Sequence, residues 1–216
     1  MKPWSYSSLS AFETCPRQYD LVRNKKLVKD APGEAQLWGT WCHKQLEDRL
    51  GDSTPLPDAL HHLEPLMAKI EAWPGQLLLE QQLAVGPDFE PAGWWESWAR
   101  GIVDVAKVHQ TKAVVLDYKT GKRKPGSDQL KMAAAISFAH YPKVNTITTG
   151  YVWLKENKLD KEVFIREQAA TIWQSFLPRV RRLEIAYDTD NWVPRPSGLC
   201  KKWCPVGRVN CEFCGR

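Results

Sequence analysis

Two apolar runs separated by a short polar break mark the middle of the chain. Residues 102–108 and 113–119 are rich in Val, Ile and Leu, and His109, Gln110, Thr111 and Lys112 lie between them. This pattern predicts a β-hairpin with a four-residue loop. A turn centred between Gln110 and Thr111 brings Asp104 directly opposite Asp117. Opposed residues in an antiparallel pair carry Cβ atoms about 5 Å apart, close enough for two carboxylates to repel, so a cation is expected there. Lys119, two residues beyond Asp117, projects from the same face of its strand.

The flanking pattern supplies the other elements. Ser5-Tyr6-Ser7-Ser8 starts a helix continued by Leu9, Phe12 and Tyr19, with Pro16 leaving one helix or two. The polar segment 24–34, with three lysines, reads as a linker, solvated or in contact with nucleic acid. A helix is expected over 35–50, with Leu37, Trp41, Leu46 and Leu50 apolar and Glu47, Asp48 and Arg49 facing water; it holds Cys42, a small buried residue, and His43. Another helix over 57–73 ends at Pro74-Gly75. Residues 77–85 form a first core strand with Glu80 either beside a site or on an exposed face. Residues 86–98 are a loop over the sheet whose Trp94, Trp95 and Trp98 belong to the core or stack nucleobases. Beyond the hairpin come a basic loop at 123–127, a helix over 129–140 capped by Asp128, strands at 145–155 and 161–167, and an amphipathic helix at 170–187. That last helix carries Arg179, Arg181 and Arg182, either solvated or paired with phosphates.

Two acids and a lysine on one strand face suit phosphodiester hydrolysis with a divalent ion: the acids hold Mg²⁺, and the ammonium stabilises the attacking water or the charge developing on phosphorus. Merely solvated side chains are the alternative. Against it, the apolar neighbours of Asp117 predict a largely buried strand, in which an unpartnered carboxylate is costly.

Composition narrows the setting. A chain of 216 residues, 43% hydrophobic, can bury a full core as one domain. The net charge of +5 and pI near 8.8 fit a polyanionic partner without requiring one. No apolar run approaches the roughly 20 residues of a membrane span, and Met1-Lys2-Pro3-Trp4 leads into polar sequence, so a cytoplasmic protein is expected. Six cysteines in a reducing compartment point to metal or thiol chemistry. Cys200-x3-Cys204-Pro-x5-Cys211-x2-Cys214 places four thiols in one short tail. They form either a self-contained tetrahedral zinc site or, three of them joined by Cys15, the ligands of an iron–sulfur cluster. The second would tie residue 15 to residue 200 and stabilise the fold directly.

The residues Gly101-Ile-Val-Asp104, Leu116-Asp117-Tyr118-Lys119-Thr120-Gly121-Lys122 and Asp128-Gln129-Leu130, together with Ser5-Tyr6-Ser7, Cys15-Pro16-Arg17-Gln18-Tyr19, Gly39 with His43, and the cysteine tail, resemble the PD-(D/E)XK nuclease superfamily in its RecB-like branch. That branch includes CRISPR-associated adaptation exonucleases and phage-encoded exonucleases. The resemblance implies an α/β, restriction-endonuclease-like fold: a central mixed β-sheet flanked by helices, with the N- and C-terminal segments joined at a cysteine cluster. It implies one nuclease domain over 1–216, in which 1–34 and 188–216 form the cluster subdomain around a core of 35–187. It implies a Mg²⁺- or Mn²⁺-dependent DNA exonuclease acting on single-stranded ends in recombination, replication or repair, with a recombinase or helicase as partner and an oligomer conceivable. The metal set would be His43, Asp104, Asp117 and the Tyr118 carbonyl, with Lys119 and Gln129 completing the catalytic group. The cluster would be [4Fe–4S] on Cys15, Cys200, Cys204 and Cys211, with Cys214 a surplus thiol able to replace Cys211; structural Zn²⁺ is the alternative. The tyrosine that usually follows four residues after the glutamine is Ala133 here. That departure leaves a second reading, a catalytically silent DNA-binding accessory subunit.

Overall fold

The Val- and Ile-rich runs form β2 (Ala99–His109) and β3 (Lys112–Lys119), paired antiparallel in the expected register, with Val105 opposite Leu116. His109 and Lys112 themselves pair, so the loop is two residues rather than four. Gln110 takes a left-handed φ of 50°, as a tight primed turn needs at its first central position.

The computed structural model describes residues 2–124 and 126–215. Met1 of the leading segment, Pro125 of the basic 123–127 loop and Arg216 lie outside the described residues. By compactness the chain divides into two units, Met1–Ala31 with Gln174–Arg216, and Pro32–Trp173.

In the larger unit, β1 (Gln76–Val85), β2, β3, β4 (Thr146–Trp153) and β5 (Lys158–Ile165) lie in that order in one mixed sheet among the described residues. β3 and β4 run parallel and every other pair is antiparallel. A parallel pair needs a crossover, supplied here by α5 (Asp128–His140). Helix α3 (Glu34–Gly51), a 3₁₀ turn (Asp58–Leu63) and α4 (Glu64–Ala72) pack Cys42, Leu46, Leu50, Leu63, Met67 and Ile70 onto Val105, Leu116, Tyr118 and Val152.

Two local expectations are corrected. Leu37 and Trp41 stay exposed, because at 100° per residue they lie on the side of α3 away from Leu46 and Leu50. Helix α5 is capped at Ser127, not Asp128; Asp128 occupies the first turn and pairs with Lys131 at 3.2 Å.

In the smaller unit, Pro16 splits the first helical segment into α1 (Tyr6–Thr14) and α2 (Pro16–Tyr19), leaving Cys15 extended between them. Phe12, Tyr19, Tyr187 and Trp192 pack ring on ring, and the Tyr19 and Tyr187 hydroxyls lie 3.1 Å apart. On α6 (Gln168–Thr189), Arg181 and Arg182 lie on a solvated face, as expected, while Arg179 is half-buried. Arg179 and Arg182 pair with Glu13, and Arg181 pairs with Glu184. Among the described residues, no helix is long and apolar enough to cross a membrane.

Candidate metal and catalytic site

The β2–β3 ladder stops at Val105–Leu116, one position short of the two aspartates. Beyond that point the Asp104 carboxylate takes over as acceptor: Oδ2 receives the Tyr118 N–H at 2.7 Å. A side-chain carboxylate thus takes the place of a ladder carbonyl at this point. Asp104 is 9% exposed.

On the other flank, β1 brings Glu80 into register with Asp104, between the pairs Leu79–Val105 and Gln81–Val103. Glu80 adopts a φ of 48° inside the strand. A left-handed non-glycine residue there costs on the order of 1–3 kcal/mol, and such strain clusters where function demands a particular side-chain direction. Helix α3 adds His43. Its Nδ1 lies 3.4 Å from Asp104 Oδ2, and its Nε2 donates to the Tyr118 carbonyl at 3.1 Å. One ligand atom each from His43, Glu80 and Asp104 falls within 4.8 Å of the others.

Asp117 sits beside this trio with its own partners. Gln129 Nε2, from the first turn of α5, donates to Oδ1 at 2.5 Å, and Lys119 Nζ lies 2.5 Å from Oδ2. Lys119 also donates to Gln129 Oε1 at 3.0 Å, which closes a triangle of ammonium, carboxylate and amide. The Lys119–Asp117 contact is thus a close ion pair on a buried carboxylate.

Electrostatics reflect acids crowded together in a buried setting. Burial first, then the neighbouring Asp104, push the Asp117 carboxyl up to about 6 against the opposing pull of Lys119. Burial, then the charges of Asp104 and Glu47, hold Glu80 above the usual carboxylate range. Burial opposes charge on His43, yet its hydrogen bond to Asp104 and the charges of Asp104 and Asp117 prevail and raise it. Oxygen and imidazole donors crowded in this way fit a hard divalent ion such as Mg²⁺ or Mn²⁺.

Each expected site residue therefore has a place. His43, Asp104 and the Tyr118 carbonyl come together; Asp117, Lys119 and Gln129 form the adjoining triangle. Glu80, which the sequence left between site and surface, belongs to the trio. Tyr151 was overlooked: it pairs with Asp117 in parallel register, and its ring lies 5.2 Å from Lys119 Nζ. The alternation of the Tyr151-Val152-Trp153 strand carried the signal, but only the β3–β4 register says which residue it meets.

Two expectations follow for this site. Glu80→Gln weakens Mn²⁺ binding at least about tenfold, because one charged oxygen ligand is lost, and it does not lower the melting temperature of the metal-free protein, because a crowded charge goes with it. Calorimetric titration checks this, and unchanged affinity would exclude Glu80 as a ligand. The second concerns pH. Burial pushes the Asp117 carboxyl up to about 6, above the ordinary carboxylate range. Between the ordinary value and 6 the native state holds a proton here that the unfolded state has released, so the Asp117 contribution to metal-free stability is fully present below about pH 4 and is lost as pH rises through 6. Asp117→Asn removes that decline, and at pH 7 the variant is the more stable by on the order of 2 kcal/mol. Denaturant melts at pH 4 and pH 7 measure it; an equal decline in both proteins would exclude Asp117 as its source.

In the smaller unit, Cys15, Cys200, Cys204, Cys211 and Cys214 line one pocket together with Arg17 and Arg195. Arg17 donates to the Trp192 and Asn210 carbonyls, and Cys15 Sγ accepts the Arg195 N–H at 3.5 Å, so α2 is stitched to the tail. All the thiols are free of disulfides. Burial, then neighbouring Cys204 and Cys211, push the Cys214 thiol up to about 12. Crowded thiols flanked by guanidinium groups suit an anionic thiolate–metal assembly. A single tetrahedral zinc with Zn–S near 2.3 Å requires sulfurs about 3.8 Å apart. Among the described residues, no three cysteine sulfurs fall within 4.8 Å of one another.

Comparison with known proteins agrees with the fold. Residues 3–108 match the model of the PD-(D/E)XK nuclease superfamily. The match takes in His43, Glu80 and Asp104, while Asp117, Lys119, Gln129 and the cysteine tail lie beyond it. Among solved structures, a candidate exonuclease from Eubacterium rectale superposes with a TM-score of 0.51 at 16% identity, covering 96% of this chain and 88% of that one. SSO0001 superposes with a TM-score of 0.41 at 18% identity, covering 99% and 87%. No curated protein sequence matches this chain.

Proposed function

We propose, on the premise that this chain is a PD-(D/E)XK superfamily protein, as its sequence match and fold support, that it is a divalent-metal-dependent DNA exonuclease acting on single-stranded ends. The observation that carries the reading is the union of two groups on one sheet: the His43, Glu80 and Asp104 trio, and the Asp117, Lys119 and Gln129 triangle. No structural role requires a left-handed Glu80 aimed at Asp104.

His43, Glu80 and Asp104 are the residues to hold the ion, with Asp117 and the Tyr118 carbonyl at its edge. When bound there, such an ion would supply Lewis-acid polarisation of the scissile phosphate and would lower the pKa of water. The protein does the rest. Lys119 places a fixed positive charge where negative charge grows on the phosphoryl oxygens and can orient the attacking water. Gln129 grips both Lys119 and Asp117, so the ammonium stays in place when the strand binds. The Tyr151 ring lies against the Lys119 ammonium. Recombination, replication or repair, with a helicase or recombinase as partner, is the setting that suits such an activity.

Cys15, Cys200, Cys204 and Cys211 hold a [4Fe–4S] cluster in this reading, with Cys214 a neighbouring thiol. The shared pocket of the five thiols with Arg17 and Arg195 supports it. Its role is to join the two chain ends of the smaller unit, where thiolate–metal bonds offset loop entropy.

The testing experiment is the incubation of purified protein with end-labelled single-stranded DNA and Mn²⁺. Progressive shortening from an end is expected. Intact substrate with both Mn²⁺ and Mg²⁺, or internal cuts in a circular strand, would defeat the exonuclease assignment.

A further inference from the structure

The strand face that carries Asp104 continues away from the metal trio. Arg100, Ile102 and Asp104 alternate along β2 with Gly101 and Val103 and therefore share one face. Ile102 is 49% exposed, and its partner on β1, Gln82, is exposed too. At the far end of this strip, the Arg100 guanidinium sits 4.6 Å from the centre of the Trp94 ring and 5.2 Å from that of Trp95. Arg100 Nη1 donates to the Trp94 carbonyl at 3.0 Å, which anchors the loop to the strand. Trp95 is nevertheless 75% exposed. Trp98, by contrast, packs on Phe89 and Trp173 and belongs to the interior of this unit.

An indole held in water by a guanidinium, itself fixed by a strand, is a ready stacking platform. Asp104 lies four strand steps from Arg100, a distance of about 13 Å. That equals roughly four nucleotides at a stacked rise of about 3.4 Å, and fewer when a strand is stretched. The charges of the loop itself are acidic: Asp88, Glu90 and Glu96. It is therefore not a general polyanion patch, and what it offers a nucleic acid is a π-face backed by one cation.

We infer that Trp95, braced by Arg100, is a base-stacking subsite for the single-stranded DNA whose scissile phosphodiester lies at the metal trio, with Ile102 and Gln82 as the floor between them. This inference rests on the nuclease reading above. It adds where the strand runs and which of the loop tryptophans holds it. An unstacked base is available only in a single strand, so the subsite also accounts for a preference over duplex.

The test is equilibrium binding of labelled oligothymidylate, in Ca²⁺ and in EDTA, to the wild-type protein and to Trp95→Ala and Trp95→Phe variants. Trp95→Ala is expected to weaken binding about tenfold or more, since stacking on one aromatic contributes about 1–3 kcal/mol. Trp95→Phe keeps most of the affinity, and the gap between wild type and Trp95→Ala closes for a dinucleotide too short to span the strip. Equal affinity of wild type and Trp95→Ala for an eight-nucleotide strand, or no binding by wild type in either buffer, would overturn the subsite. Tighter binding of oligouridylate or of duplex would overturn its assignment to single-stranded DNA. Cleavage in Mn²⁺ is scored separately. Trp95-dependent binding of a strand that is never cut defeats the nuclease reading alone; cutting with Trp95-independent binding defeats the subsite alone.

Discussion

Asp117→Ala lowers cleavage of single-stranded DNA in Mn²⁺ by at least about a thousandfold, the scale on which loss of a fixed electrostatic group or of a metal ligand is felt at a phosphoryl centre. Asp117 does two things here. Its carboxylate is buried and feels the charge of Asp104. Its Oδ1 holds the Gln129 amide, and Oδ2 holds the Lys119 ammonium, so truncation frees both catalytic partners at once. Gln129→Ala removes only the brace and is expected to be milder, with Lys119→Ala close to Asp117→Ala. The loss should be chemical rather than structural, because the ionised carboxylate is a burden on the metal-free fold. The melting temperature of Asp117→Ala should therefore equal or exceed that of wild type, whereas Lys119→Ala, which strips a buried carboxylate of its partner, should melt lower. Residual cleavage within tenfold of wild type by Asp117→Ala would remove this aspartate from the mechanism.

The second large effect lies in the cysteine pocket. Protein purified without oxygen should be brown and carry iron and inorganic sulfide, and Cys15→Ser should lose the colour and the iron together. The free energy of binding a metal centre to a site that exists only in the folded chain is folding free energy, on the order of 10 kcal/mol for thiolate metals. Loss of the centre is therefore expected to unfold the unit formed by Met1–Ala31 and Gln174–Arg216, and local protease sensitivity reports this. The choice of Cys15 is deliberate. A zinc bound by Cys200, Cys204, Cys211 and Cys214 leaves Cys15 idle, so colourless Cys15→Ser that keeps one zinc and full stability would replace the cluster by a zinc site. Cys214→Ser is the complement: it keeps the iron if Cys211 is the ligand and loses it if Cys214 has taken that place.

How far the chain could be read before folding differs from element to element. The hairpin register followed from where two apolar runs end and how many polar residues lie between them, which is local information. The coming together of Asp104 and Asp117 followed from it, as did the shared face of Lys119. Helix limits were legible wherever a breaker stood close by, as at Pro16 or Pro74-Gly75. The inward face of α3 was not: Leu37 and Trp41 have the same character as Leu46 and Leu50, and only packing against the 3₁₀ turn and α4 decides which apolar side of the helix is inward.

The same division runs through the candidate site. The amino-acid order alone determined the β-hairpin, the acid and lysine on one of its faces, and the convergence of thiols in the tail, because strand alternation and short spacings act over a few residues. Only the tertiary structure decided that Glu80 turns left-handed in register with Asp104, that Tyr151 lies under Lys119, that Cys15 meets cysteines almost two hundred residues away, and that Trp95 lies against Arg100. The first three of these rest on strand order or on the closure of a long loop, and their cost is met by the collective burial of the core rather than by any pattern near the residue itself.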